Sequence, residues 1–147
     1  MLANLANPSI CYEQEKDPKI QMRFGGSSNT NEGYVEVNVK IGTSTSSAQW
    51  QGFKGVCDDG FDLNDAHVIC RMAGYPDGAS AFFTNSKPFG QPRGSSGRKF
   101  AVSNLHCMGT ETRITECQLQ FMNLGCSYGD WAGVRCKGEK LPDCLPN

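Results

Sequence analysis

Apolar and polar residues alternate most sharply over residues 34–41, where Val35, Val37, Val39 and Ile41 interleave with Glu36, Asn38 and Lys40. Successive side chains of a strand point to opposite faces, so this stretch predicts a strand with one apolar and one wet face. Residues 42–47, rich in Gly, Ser and Thr, predict a turn. Trp50, Phe53 and Val56 then mark a second strand region, with Gly52 and Gly55 allowing a bend or bulge. The period changes after Cys57. Ala66, Ile69, Cys70 and Ala73 recur at helical spacing, so one helix face is apolar. Asp62 or Asn64 can cap its start through side-chain oxygens, and Gly74 can close it in the left-handed conformation.

Further on the pattern is weaker. Residues 75–97 hold three prolines and several glycines and predict a loop, pinned to the core by Phe82, Phe83 and Phe89. Residues 100–105 predict a short strand leading into Cys107. Residues 110–117 suit a brief second helix, with Thr110 or Thr112 as cap and Ile114 and Cys117 turned inward. Residues 121–129 predict another loop and 131–136 a final strand. Trp50 and Trp131 suit packing better than a ligand platform. Residues 1–31 form a polar, weakly patterned arm, and 138–147 a polar tail, leaving 32–137 as the domain. Residues 1–10 lack a basic segment and a long apolar run, so they do not read as a signal peptide.

With 147 residues, 38% hydrophobic and 20% charged, the chain suits one domain with a modest core. A formal net charge of −1 argues against whole-surface attraction to nucleic acid or membranes. The 8 cysteines are Cys11, Cys57, Cys70, Cys107, Cys117, Cys126, Cys136 and Cys144. They are scattered, with no C-x-x-C pair, and only His67 and His106 could add imidazole. This favours a disulfide framework over zinc, and hence an oxidising, extracellular setting. No apolar run approaches a transmembrane length. No G-x-S-x-G elbow, phosphate loop or nucleic-acid motif occurs, so no catalytic residue is assigned.

The order GVCDDGFDLNDAHVICRMAG (residues 55–74), NLHCMGTE (104–111), Cys117 and GCSYGDWAGVRC (125–136) resembles the scavenger receptor cysteine-rich family. YVEV (34–37) fits the family's opening strand, and the resemblance spans roughly residues 21–137. It implies an α+β fold, a small curved antiparallel sheet cradling one helix. It also implies the pairs Cys57–Cys126, Cys70–Cys136 and Cys107–Cys117. Tyr75 stands where the eight-cysteine subgroup has a cysteine, so the chain resembles the six-cysteine subgroup with two extra flanking cysteines. Cys11 and Cys144 are expected to pair with each other; the rival reading links one or both to a neighbouring domain.

The acidic pair Asp58 and Asp59, with Glu111 in CMGTE, matches positions at which the family can hold calcium. Close carboxylates repel unless a cation or hydrogen bonds relieve them, and hard cations take oxygen ligands. The plainer reading is turn formation and capping. Ser103 and Asn104 replace residues often acidic in the family, which weakens a second cation site. Lys87, Arg93, Arg98 and Lys99 could contact polyanions. Four charges over thirteen positions are not a dense tract, so a solvated loop is the simpler alternative.

The expectation is a non-catalytic extracellular module that recognises a protein or polyanionic surface, with Ca2+ as the implied ion. The other reading is an accessory or spacer domain of a larger secreted enzyme, a protease or amine oxidase. A self-associating adhesive unit is a third.

Overall fold

The structure is a computed structural model and describes residues 20–41, 49–90, 92, 100–121, 126 and 130–142. In chain order it contains β1 (Ile20–Gly25), β2 (Glu32–Ile41), β3 (Gln49–Trp50), β4 (Lys54–Val56), α1 (Leu63–Met72), β5 (Ala79–Phe83), β6 (Phe100–His106), a 3-10 turn (Ile114–Glu116), β7 (Gln118–Phe121) and β8 (Gly133–Cys136). The sheet runs β5-β8-β2-β4-β6-β7, with β1 and β3 also pairing β2. All these pairings are antiparallel except β4 with β6, so the sheet is mixed.

β2 is the hub because its apolar positions all face one way. Val35, Val37 and Val39 are buried against α1 and the neighbouring strands. The opposite face was expected to be wet, yet Glu36 and Asn38 are buried too. Partners account for this. Arg23 on β1 donates to Glu36 at 2.8 Å while its guanidinium lies 3.8 Å from the Phe53 ring centre. Asn38 accepts the Gly52 N–H at 2.8 Å and donates to Gln21 at 3.2 Å. Buried polar groups persist where hydrogen bonds replace water.

α1 begins with a reciprocal cap. Asp62 accepts the Asp65 N–H at 3.1 Å, and Asp65 accepts the Asp62 N–H at 2.9 Å. Asp62 is thus the cap, rather than Asn64, and Gly74 follows the helix with φ of +99°. Asp65, Ala66, Val68, Ile69 and Cys70 are the buried residues of the helix. A second, smaller cluster of Cys57, Phe100 and Trp131 is joined by Tyr34 and Cys126. Trp50, in contrast, keeps 38% of its surface exposed and lies near Lys40.

Three disulfides join Cys57 to Cys126, Cys70 to Cys136 and Cys107 to Cys117, with Cα separations of 6.0, 5.4 and 4.8 Å. Each bridge in such a small domain contributes about 2–4 kcal/mol. Cys11 and Cys144 lie outside the described residues.

Four local expectations need correction. β1 lies in the arm read as weakly patterned; Ile20, Met22 and Phe24 alternate there and pair with Val39, Val37 and Val35. β5 lies in the stretch read as loop, held by pairing with β8. β7 reaches Phe121, the first residue of another expected loop, through its ladder with β6. The brief second helix is a single 3-10 turn, with Arg113 rather than a threonine at its cap position. Ile114 is buried, as its position in the pattern required.

Candidate cation site and basic loop

The acidic turn follows β4 directly. The Phe61 N–H donates to the Asp58 carbonyl at 2.9 Å, closing a turn whose third residue has a φ of +72°. Gly60 takes this positive φ without the backbone strain an L side chain would bring, although a Cβ there would face open space. The Asp58 N–H donates to the Asp130 carbonyl at 2.9 Å, and Asp58 Oδ2 accepts the Asn85 N–H at 2.6 Å. Burial raises the Asp58 carboxyl above its ordinary value; the Asn85 hydrogen bond opposes this, and the charges of Asp130 and Asp59 add to it. Asp59 is exposed. It borders an open depression of about 430 Å³ with Gly60, Asn104, Leu105, His106 and Gln118.

Glu111 sits in the turn after Cys107. Its carboxylate accepts the Met108 N–H at 2.9 and 3.1 Å and the Gly109 N–H at 2.9 Å. These backbone donors, Met108 first, hold its carboxyl below the usual range. Gly109 lies against Asn64 in the first turn of α1; a Cβ there would come 2.7 Å from Asn64 Oδ1.

The three acidic residues fall into two groups. Asp58 and Asp59 cluster with Cys57, and Glu111 with Cys107 and Cys117, each set within 4.8 Å. Among the described residues no such set joins all three. The cysteine sulfurs are already in disulfides, so oxygen atoms are the available donors.

Of the basic residues, Lys87 is exposed in the turn over residues 84–90. Arg93, Arg98 and Lys99 lie outside the described residues. Two residues beside the acidic turn were missed from sequence. Asp130 reaches Asp58 because the Cys57–Cys126 bridge and the Cys57–Trp131 pairing bring the chain ends of the site together. Asn85 has φ of +58°; the available signal was an asparagine in a polar turn, since Asn tolerates the left-handed region.

The sequence profile of the scavenger receptor cysteine-rich domain matches residues 25–137. The chain belongs to the scavenger receptor cysteine-rich family. As an SRCR domain it is a non-catalytic module. It is similar to lysyl oxidase homolog 2 of Homo sapiens, with 32% identity over 141 residues, 92% of this chain and 16% of that protein. Lysyl oxidase homolog 3A of Danio rerio is 34% identical over 141 residues, 90% of this chain and 17% of that protein. Among solved structures, the third SRCR domain of murine neurotrypsin superposes with a TM-score of 0.62 at 30% identity, covering 82% of this chain and 99% of that one. The SRCR domain of mouse MARCO in its dimeric form gives 0.52 at 27% identity, covering 76% and 91%. The matches span only 16% and 17% of the two lysyl oxidase homologs. No helix among the described residues is long and apolar enough to cross a membrane.

Proposed function

We propose that this SRCR domain is an extracellular recognition module for a protein or polyanionic ligand, with a hard divalent cation held by Asp58 and Asp59 and with Glu111, whose carboxylate lies in a separate set, as the further oxygen donor. The observation that carries this reading is geometric: Asp58 and Asp59 bring carboxylate oxygens within 4.8 Å of one another beside Cys57, and the charges of Asp130 and Asp59 add to the burial that raises the Asp58 carboxyl. A cation relieves such repulsion. The donor set fits calcium in kind, being carboxylate oxygen without free thiolate. Asp58 Oδ2 and Glu111 Oε2 each accept one backbone N–H and keep a further lone pair for a cation, whereas Glu111 Oε1 already accepts two. When bound, the ion would supply a positive centre for anionic groups of a ligand. Lys87, Arg93, Arg98 and Lys99 would extend that attraction. The three disulfides support an oxidising, extracellular setting.

A second reading, compatible with the first, makes the domain an accessory unit of a larger secreted enzyme. It is favoured by the lysyl oxidase homologs, of which the chain matches a small share.

Calcium titration by calorimetry on wild type and Asp59→Ala tests the first reading. Extracellular calcium modules bind at about 10⁻⁴–10⁻³ M. No binding by wild type at millimolar calcium would end the cation reading. Equal binding by both proteins would remove Asp59 from the site.

A further inference from the structure

Helix α1 grips the turn of residues 107–111 at two points with opposite charges. Near its start, buried Asp65 accepts the Cys107 N–H at 2.7 Å. In its last turn, Arg71 Nη1 donates to the Gly109 carbonyl and, at 3.4 Å, to that of Glu111. Gly109 itself, with φ of +104°, also rests on Asn64, the residue before Asp65 on the helix. The helix therefore supplies a carboxylate where the turn presents an N–H and a guanidinium where it presents carbonyls. The amides of Met108 and Gly109 remain directed at the Glu111 carboxylate.

We propose that Arg71 is a positioning residue for the Glu111 carboxylate, and through it for cation binding. By fixing the Gly109 carbonyl, Arg71 orients the Gly109–Thr110 peptide unit, whose N–H also acts on the Glu111 carboxyl, and it pins the chain directly after the Met108 and Gly109 amides that aim Glu111. Arg71 binds main-chain oxygens here, so these contacts do not consume the Glu111 charge. A guanidinium suits the task because its rigid, multiply donating head spans two carbonyls, which a lysine ammonium does less well. The proposal rests on the cation reading above and adds to it a second layer of support. Changing the groups that orient a metal ligand costs roughly 10–100-fold in metal affinity.

The test uses Arg71→Met and Arg71→Lys in the whole chain, with two measurements. The first is calcium affinity by calorimetry well below the melting temperature. The second is exchange of the Met108 and Gly109 amides by NMR without calcium. The expected results are calcium binding weakened about tenfold or more in Arg71→Met, with Arg71→Lys intermediate, and faster exchange of both amides. Exchange in β2 and β8 should stay unchanged. A purely structural role would lower the melting temperature and leave the calcium affinity of the folded protein untouched; that result overturns the proposal. If wild type binds no calcium, the cation reading fails by itself. The amide exchange then decides whether Arg71 orders the turn, and unchanged exchange overturns that too. If Arg71→Met does not fold, Arg71→Lys carries both measurements.

Discussion

Asp65 Oδ1 accepts the backbone N–H of Cys107 at 2.7 Å across 42 residues of sequence. The same carboxylate closes the reciprocal cap of α1 through Asp62. One buried side chain thus ties the helix start to the end of β6.

That burial pushes the Asp65 carboxyl up from 3.8 to about 6, against the hydrogen bonds from Cys107 and Asp62. The folded state holds this proton more tightly than the unfolded chain. The resulting stability is fully present below about pH 4 and is lost as pH rises through about 6. Asp58, also raised, acts in the same direction, while His67, lowered chiefly by burial, opposes it. Urea unfolding of wild type and Asp65→Asn across this range isolates the effect. The wild-type advantage should shrink as pH rises from about 4 to 7; a difference independent of pH refutes it.

Replacing Asp65 by alanine should cost about 1–3 kcal/mol, because the buried Cys107 N–H would lose its acceptor. Chemical denaturation at neutral pH measures this. Asp65→Asn should cost less, since its amide oxygen can still serve Cys107.

Cys70 in α1 and Cys136 in β8 are both buried and disulfide-bonded. Changing both to alanine should lower stability by about 2–4 kcal/mol. Hydrogen exchange should report the loss most strongly in α1, which this bridge fastens to the sheet. A uniform loss across the sheet would contradict that assignment.

Arg23 contacts Glu36, whose side chain is only 3% exposed, while 53% of its own remains in water. Arg23→Ala should destabilise the domain by about 1–3 kcal/mol by weakening a hydrogen bond to a buried group. In a double-mutant cycle with Glu36→Gln the two effects should be less than additive. Full additivity would mean the pair does not couple.

Reversing Arg93 and Arg98 to glutamate should reduce heparin retention at moderate salt while leaving calcium binding unchanged. Unchanged retention would remove the basic loop from the ligand surface. The effect should weaken as salt screens exposed charge.

The legible parts of the fold were those whose signal is local. The Val35–Val37–Val39 alternation carries its own register, and Asp62 to Gly74 contains both the cap and the stop of α1. The strands that escaped notice depend on partners. β7 is four residues with mostly exposed side chains, and it is a strand because β6 lies beside it. β5 follows a proline and Gly78, so its flanks read as loop although Ala79 and Phe83 align with β8. The candidate site divides in the same way. Asp58, Asp59 and Glu111 stood out as residue types in a motif. Asp130 and Asn85 reach Asp58 by chain crossings that no spacing encodes. Arg71 was passed over because an arginine in a helix gives no sign of which carbonyls it meets.

Asn31 and Cys136 are joined by hydrogen bonds from the Cys136 N–H at 2.8 Å and the Asn31 side chain at 2.9 Å. The chain therefore enters β2 and leaves β8 at one point, while β1, which precedes them, starts at Ile20 opposite Val39 near the other end of β2. Under tension along the chain, the segment from Cys57 to Cys126, separated by 69 positions, could not be drawn out while its bridge is intact. Extension would be confined to the strands outside that covalent loop, at no more than roughly 3.3–3.6 Å per residue. The acidic turn and α1 would ride out such a pull behind a mechanical stop.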